Sequence, residues 1–524
     1  MSTRIEFALI PKEAANPAIV RSIALYTAGL VDDGTMHVEV IRRSIDARSR
    51  QPVVRFIAEL MPIGSVPEEP PAQWTPPTPV SESGHSVIIV GSGPAGYFAA
   101  LELLRNGIKP IVLERGKDVR LRRRDLKALM QESIVDPDSN YCFGEGGAGT
   151  YSDGKLYTRS SKRGNIKEVL QTLVDHGASP DILIDAHPHI GSNKLWLVVQ
   201  KMRETIEQAG GDVRFGARVV DFILDGLQGA PRRIRGVVLE DGTEVEAEAV
   251  VLATGHSARD IYERCHERGI AIEAKPFAIG VRAEHPQELI DEIQYHHTPR
   301  DPFLPAASYS LTCQIADRGV FSFCMCPGGL IVPAATAPGE IVVNGMSMSR
   351  RDSPFANSGV VVEVTADDFD MSDPLAGLAF QKQIEQAAFA ANHNGSQQAP
   401  AQRIIDFLEH RVSETIPPTS YVPGHVSIDL GSILPDAIAA RLARAIRHFD
   451  RTMPGYVTND AVLVGIESRT SSPVRIPRDR HSYEHTAVEG LYPCGEGAGY
   501  AGGIVSAAMD GVNVARAVAI KVTH

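Results

Sequence analysis

A chain of 524 residues that is 43% hydrophobic and 22% charged has the make-up of a globular protein of about three domains with ample material for buried cores. Its net charge of −12 argues against nucleic acid or an anionic membrane surface as the main partner. No apolar run reaches the roughly 18 residues of a spanning helix, and residues 1–6 lack the organisation of a secretory signal, so a cytoplasmic location is expected.

Residues 1–63 read as a small α/β module, with strands at 5–10, 38–43 and 53–60 and a helix over 17–30. Arg42, Arg43, Asp46 and Arg48 fall in the segment 42–48, which reads as a strand end and solvated turn; a docking surface for a protein partner is the alternative. Prolines crowd residues 64–84, a composition that suits an extended linker between domains.

A second unit starts at residue 85. The apolar run 87–90 reads as a buried parallel strand and is followed at once by Gly91, Gly93 and Gly96. A helical pattern continues over 97–104, and a second apolar run ends at Glu114. Gly91 permits a tight turn, Gly93 leaves bare backbone for a pyrophosphate, and Gly96 allows helix and strand to pack closely. With Pro94 and Ala95 opening the helix, phosphates can rest on its free N–H groups, while a carboxylate at 114, next to Arg115, can accept ribose hydroxyls. Strand, glycines, helix, strand and acid in this order predict a bound adenine dinucleotide. The basic block 117–127 that follows reads as a solvated helix face.

Residues 144–149 are too glycine-rich for helix or strand, and their bare backbone suits a planar ring lying against it. Strand-like runs at 213–222 and 247–252 belong with the nucleotide fold, and the latter ends in Thr254 and Gly255. His256 reads as a turn cap, with proton donation as the alternative, and His187 and His189 lack a third ligand at metal spacing, so no metal site is expected. Residues 275–456 change texture, with short strands, Pro/Gly turns and a helix at 435–449, and suggest a separate substrate-shaping or cap domain. None of the six cysteines forms CxxC, which removes the simplest dithiol–disulfide reductase reading. Cys324 and Cys326 would share one face of a strand; they read as buried free thiols, with a thiolate pair as the alternative.

The final segment, 457–524, returns to a strand–glycine–helix pattern that completes the interrupted nucleotide domain. Glu467 and Arg469 alternate on an expected strand and would form an Arg–carboxylate pair, binding an anionic substrate or serving structure alone. Gly495, Glu496, Gly502, Gly503 and Ile504 lead into a helix over 505–520. A carboxylate there can hold a ribityl hydroxyl, and the helix N-terminus can stabilise charge on a reduced flavin. NAD dehydrogenases need no such late site, so the dinucleotide reads as FAD. No second nucleotide motif follows residue 114, which leaves transient NAD(P)H docking, the substrate or another protein as the reductant.

Together with residues 140–155, 275–282, 323–329, 342–347 and 465–475, these motifs resemble the uncharacterised FAD-dependent (NAD/FAD-utilising) dehydrogenases, single-Rossmann flavoproteins of the glutathione-reductase type. The resemblance covers nearly all of 85–524. It implies an α/β protein in which a glutathione-reductase-type FAD-binding domain (85–274 and 457–524) is interrupted by an α+β substrate domain (275–456), after a small N-terminal α/β module. It further implies that Gly146, Gly147 and Ala148 pass beside the isoalloxazine ring and that backbone near Val219 meets the adenine. Asp153 and Lys155, just after that loop, are expected to project toward the ring, and Cys142 is the nearest residue for any covalent attachment. The expected activity is an FAD-dependent oxidoreductase acting on a small molecule. A flavin monooxygenase, or an FAD-stabilised adaptor without turnover, is the alternative.

Overall fold

Val87, Ile88, Ile89 and Val90 point alternately to both faces of one strand yet are all buried, as befits the middle of a parallel sheet covered on both sides. The computed structural model describes residues 2–65, 75, 77–81, 84–158, 164–226 and 232–524. In it the strand Ser86–Val90 is flanked by Lys109–Glu114 and then Asp212–Phe215 on one side, and by Ala249–Leu252 and then Leu491–Pro493 on the other. All four pairings are parallel. Connections leave the central strand toward opposite edges, and this reversal opens a crevice at the carboxyl ends of the strands.

Helix Pro94–Arg105 covers the sheet and packs against the C-terminal helix Ile504–Thr523. The two approach so closely that a Cβ at Gly511 would stand 2.2 Å from the Ala95 carbonyl oxygen. The single strand expected at 213–222 is two. Gly216, at φ +64°, ends Asp212–Phe215, and Val219–Asp225 turns away to pair with Arg232–Leu239 in a separate antiparallel sheet.

The N-terminal module is a three-stranded antiparallel sheet with Val53–Pro62 between Thr3–Leu9 and Met36–Asp46. Helix Pro17–Thr27 covers it through Val20 and Leu25. Arg43 is not part of a solvated turn. Its N–H donates to Ile184 O at 2.7 Å, and its guanidinium binds Asp185 at 2.7 Å and Asp181 at 3.3 Å, which stitches the module to the next domain. Of the Pro-rich stretch, residues 66–74, 76, 82 and 83 lie outside those described.

The chain enters the second large domain at Glu273–Ala274 and leaves it at Val474–Arg475, two segments paired side by side. Between them lies a seven-stranded sheet in the order Thr312–Ile315, Arg318–Cys326, Phe355–Val364, Phe277–Pro286, Val462–Glu467, Ala399–Arg403, His425–Ser427. Helix Asp436–Thr452 packs on it, with Leu442, Ile446 and Phe449 in one core with Val281, Val360 and Val362. Val462–Glu467, expected in the C-terminal completion of the nucleotide domain, is instead an inner strand of this sheet. Its residues are buried on both faces, so its apolar run reads alike in either sheet.

Candidate functional site

A cavity of about 360 Å³ opens at the carboxyl ends of the parallel strands, roofed by the second domain. Residues hundreds of positions apart meet in its wall: Gly91, Gly93, Pro94 and Ala95; Glu114 and Arg115; Gly147 and Ala148; Val219; Thr254, Gly255 and His256; Glu496, Gly502, Gly503 and Ile504. Two long helices, Pro94–Arg105 and Ile504–Thr523, start at this wall, so two sets of unpaired N–H groups and two positive dipole ends border one space. Asp153, Lys155, Cys142 and Arg469 also line it, whereas Gly96, Gly146, Gly495 and Glu467 do not. Those three glycines stand behind the wall. A Cβ on Gly96 would lie 1.9 Å from Gly91 O, the Gly146 N–H donates to Ser92 O at 3.1 Å, and the Gly495 N–H donates to Asp510 Oδ2 at 2.7 Å.

Glu114 is more heavily engaged than a waiting ribose ligand. Its Oε2 accepts from the Ser92 N–H (3.0 Å) and hydroxyl (2.7 Å), and its Oε1 from the Gly116 and Gly144 N–H groups, each at 2.9 Å. A carboxylate offers about four acceptor positions, so any ligand hydroxyl reaching Glu114 would have to replace the rotatable Ser92 hydroxyl or share with it. Arg115 is likewise held, by Asp138 and Asp260, with its guanidinium 4.4 Å from the Phe143 ring centroid.

Arg122 corrects the reading of the basic block as a solvated face. It is fully buried, and its Nε donates to Asn140 O (2.8 Å) while Nη1 donates to Gly144 O (3.2 Å), Glu145 O (2.8 Å) and Gly147 O (2.9 Å). One side chain thus ties up the carbonyls of the glycine loop. Glu145 adds a second anchor by accepting from the Val119 N–H, Tyr97 Oη and Arg203.

Asp153 is buried and accepts from Ser347 Oγ and from Arg351 Nη2 at 2.6 Å; Lys155 Nζ lies 4.0 Å away and donates to Met325 O. Burial alone would raise the Asp153 carboxyl, but Lys155 and Arg351 outweigh it and hold it below the usual carboxylate range. His256 accepts from or donates to the Ser257 hydroxyl at 2.8 Å; burial, then the nearby Arg469, push it down to about 4, so it is neutral at pH 7. The Glu496 carboxyl is pushed up to about 7 by burial, against the pull of Lys275.

The expected Glu467–Arg469 pair does not form. Glu467 Oε2 receives Arg282 Nη1 at 2.5 Å, and Arg469 binds Glu385 and Glu340 at 3.0 and 3.1 Å and Thr336 Oγ1 at 2.6 Å. The strand ends at Glu467, so the alternation does not extend to residue 469. Arg282 and Glu467 are 0% and 1% exposed, so neutralising one leaves its partner charged and buried. Glu467→Gln should therefore cost about 3 kcal/mol of stability in a thermal melt, and an unchanged melting temperature would argue against this structural role. The sequence reading also missed Phe323 and Asn344, which the second domain brings to the cavity wall. Among the described residues, no group of three His, Cys, Asp or Glu side chains could hold a metal, and no helix is long and apolar enough to cross a membrane.

Residues 85–132 match the FAD binding domain family, residues 276–470 match the family described as FAD-dependent protein, C-terminal domain-like, and residues 1–60 match a domain of unknown function. An uncharacterized protein of Clostridium beijerinckii is 46% identical over 434 residues, covering 82% of this chain and 79% of that protein. The FAD-dependent monooxygenase nodY2 of Hypoxylon pulicicidum is 25% identical over 38% of this chain and 42% of its own length. The probable electron transfer flavoprotein-quinone oxidoreductase YdiS of Escherichia coli is 29% identical over 34% of this chain and 38% of its own. The chain therefore matches well under half the length of these last two relatives. Among solved structures, the flavin-dependent halogenase CmlS is 13% identical over 85% of this chain and 60% of that one, with a TM-score of 0.37, too loose a likeness to bear on chemistry.

Proposed function

Because the chain belongs to one family with the Clostridium beijerinckii protein and is an FAD-binding flavoprotein, we propose that it is an FAD-dependent oxidoreductase of the single-Rossmann, glutathione-reductase type acting on a small molecule. The observation that carries this reading is the convergence of three glycine motifs, at 91–96, 147–149 and 502–503, on one cavity beside two helix N-termini. The residues present fit FAD. Gly93 presents bare backbone, with only Gly147 Cα within 4 Å of where its Cβ would stand, and no hydrogen bond within the described residues occupies the Glu496 carboxylate.

In this reading Gly91, Gly93, Pro94 and Ala95 receive the pyrophosphate, and Gly96 supports them from behind. Glu114 and Arg115 border the ribose, and Val219 borders the adenine. Gly147, Ala148, Thr254 and Gly255 border the ring system, with Gly146 behind them. Glu496, Gly502, Gly503 and Ile504 close the ribityl end, and Gly495 supports them from behind. Bound FAD supplies reversible two-electron chemistry. Lys155 and Asp153 stand where the second domain meets the cavity, and they orient a polar substrate there. Glu467 and Arg469 hold that wall in place through their buried ion pairs.

Anaerobic titration of the purified protein with NADH, NADPH and a metabolite panel tests the reading. Bleaching of the flavin by one of them is expected, and a colourless protein that takes up no added FAD would end the proposal. The 25% identity to an FAD-dependent monooxygenase over 213 residues favours a second reading, hydroxylation by oxygen, for which oxygen uptake coupled to substrate turnover is the deciding measurement.

Glu496 gives a pH signature. Its carboxyl rises from 4.5 to about 7 in the folded protein, so the folded state keeps its proton while the unfolded chain loses it. That stabilisation is complete below the unfolded value and disappears as pH rises through about 7. Flavin-stripped wild type should lose melting temperature over this window, and Glu496→Gln should lose less; parallel curves would reject the assignment.

A further inference from the structure

We propose that Cys324 and Cys326 form a redox-active dithiol at the substrate face of the cavity, with Cys324 attacking the disulfide of a small thiol compound and Cys326 resolving the mixed disulfide that results. The chemistry needs only the chain's own sulfurs and an external disulfide, so its failure would leave the FAD reading untouched.

The geometry comes first. Strand Arg318–Cys326 pairs regularly with Phe355–Val364 as far as Phe323 opposite Gly359, and pairing resumes only at Cys326 opposite Asn357. Cys324 and Met325 together face a single partner position, which is a β-bulge, a device that re-aims a side chain and is common beside active sites. Cys324 takes φ +45°, an uncommon conformation for a residue with a Cβ. The bulge defeats the simple alternation expected from the sequence. Cys324 comes to the cavity wall, while Cys326 is fully buried behind it.

The bulge is also held from outside the strand. Lys155 Nζ donates to Met325 O, Arg282 Nη2 donates to Cys324 O at 2.5 Å, and the Cys326 thiol donates to the same carbonyl at 3.2 Å. Arg282 Nη2 also lies 3.6 Å from Cys326 Sγ. Two cations and a second thiol are therefore gathered on the bulge that brings Cys324 to the cavity. A purely structural cysteine pair packs as small apolar side chains and needs none of this.

The electrostatics favour a division of labour. The neighbouring Cys326 thiol lowers the Cys324 thiol; burial opposes this, Lys155 and Arg282 reinforce it, and Asp153 works against them. The neighbouring Cys324, with burial, pushes Cys326 up. Glu467 and Glu496 also feel Cys324, and Tyr309 feels Cys326. One sulfur is thus held as the thiolate and the other as the thiol, as attack followed by resolution requires.

The exchange balances. The Cys324 thiolate attacks one sulfur of the external disulfide, whose S–S bond breaks and releases one thiolate. Cys326 then gives up its proton to the second leaving sulfur as its own sulfur attacks Cys324 Sγ. The two cysteines end oxidised to a disulfide, and the external disulfide ends reduced to one thiolate, which takes its proton from water, and one thiol.

The test uses the FAD-loaded protein with glutathione disulfide as the probe, followed by alkylation of the remaining thiols and peptide mass mapping. Wild type should lose the mass of two hydrogen atoms in the peptide holding residues 324 and 326, and dithiothreitol should restore it. Cys326→Ser should stop at one glutathione attached to Cys324, and Cys324→Ser should show neither product. At pH 7, Cys324 should be alkylated at least about tenfold faster than Cys313, whose thiol burial pushes up. Mapping of wild type alone keeps the test decisive should either variant fold poorly. An unmodified 324–326 peptide, or glutathione carried on Cys142 or Cys313 instead, would overturn the proposal.

Discussion

Gly93→Val should give a folded protein that purifies without FAD, whereas Gly96→Ala should give little folded protein at all. Gly93 sits at φ −69° and ψ −175°, a conformation open to any residue, and the nearest atom to an added Cβ is Gly147 Cα at 3.9 Å. The Cβ of a valine there meets no protein atom closely, and Gly93 lines the cavity where the proposed pyrophosphate site needs bare backbone. Loss of affinity of about a hundredfold or more, close to 3 kcal/mol, is expected. Gly96 is the opposite case. Its added Cβ would lie 1.9 Å from Gly91 O, and Gly91 itself stands at φ +104° with Ala253 O only 2.5 Å from where its own Cβ would be. Neither backbone can give way without separating helix from sheet, a cost at or above the usual 1–3 kcal/mol or so of overpacking. Flavin-to-protein ratio and circular-dichroism melts distinguish the two variants. A Gly93→Val protein carrying normal FAD would refute the placement of the pyrophosphate.

Arg122→Met should both lower stability and release FAD. Methionine can occupy the channel of the arginine stem, but it offers no donor to the carbonyls of Asn140, Gly144, Glu145 and Gly147. Hydrogen bonds to a charged group contribute about 1.5–3 kcal/mol each, and losing several at once should cost about 3–5 kcal/mol after relaxation. The guanidinium also lies 5.0 Å from the Tyr151 ring centroid, so the packing of that ring changes with it. Because the Gly147–Gly149 turn forms part of the cavity wall, its release should reduce flavin content together with the melting temperature. A variant that melts early yet retains full flavin would show that the loop keeps its shape without Arg122.

The nucleotide fold could be read from the chain because its demands are local. A strand, three glycines, a helix and an acid fall within some thirty residues, and each glycine answers a steric requirement set by near neighbours. Arg122 was obscured by company: Arg120, Arg123 and Arg124 surround it and suggest a solvated surface. Its spacing was nevertheless informative, since Val119, Arg122, Leu126 and Leu129 form the buried stripe of helix Val119–Glu132, and an arginine in register with that stripe points inward. The partners of Glu467 and Arg469 could not be anticipated. Arg282, Glu340 and Glu385 come from a strand, a loop and a helix more than eighty residues away, and nothing near residue 467 encodes them. The bulge at Cys324 escaped for a different reason, because one extra residue in a strand leaves no mark on an otherwise regular apolar pattern.

The parallel sheet takes its central strand from residues 86–90 and an edge strand from residues 491–493, and its first helix packs against the last helix of the chain. During synthesis the nascent polypeptide therefore carries an incomplete sheet until residues 491–493 are made, with Ala249–Leu252 lacking its outer neighbour. Pairings of such long sequence separation form late and slowly. The cofactor cavity is then complete only once residues 491–523 have been made, and removing helix Ile504–Thr523 would leave helix Pro94–Arg105 with an open flank exposed to proteolysis.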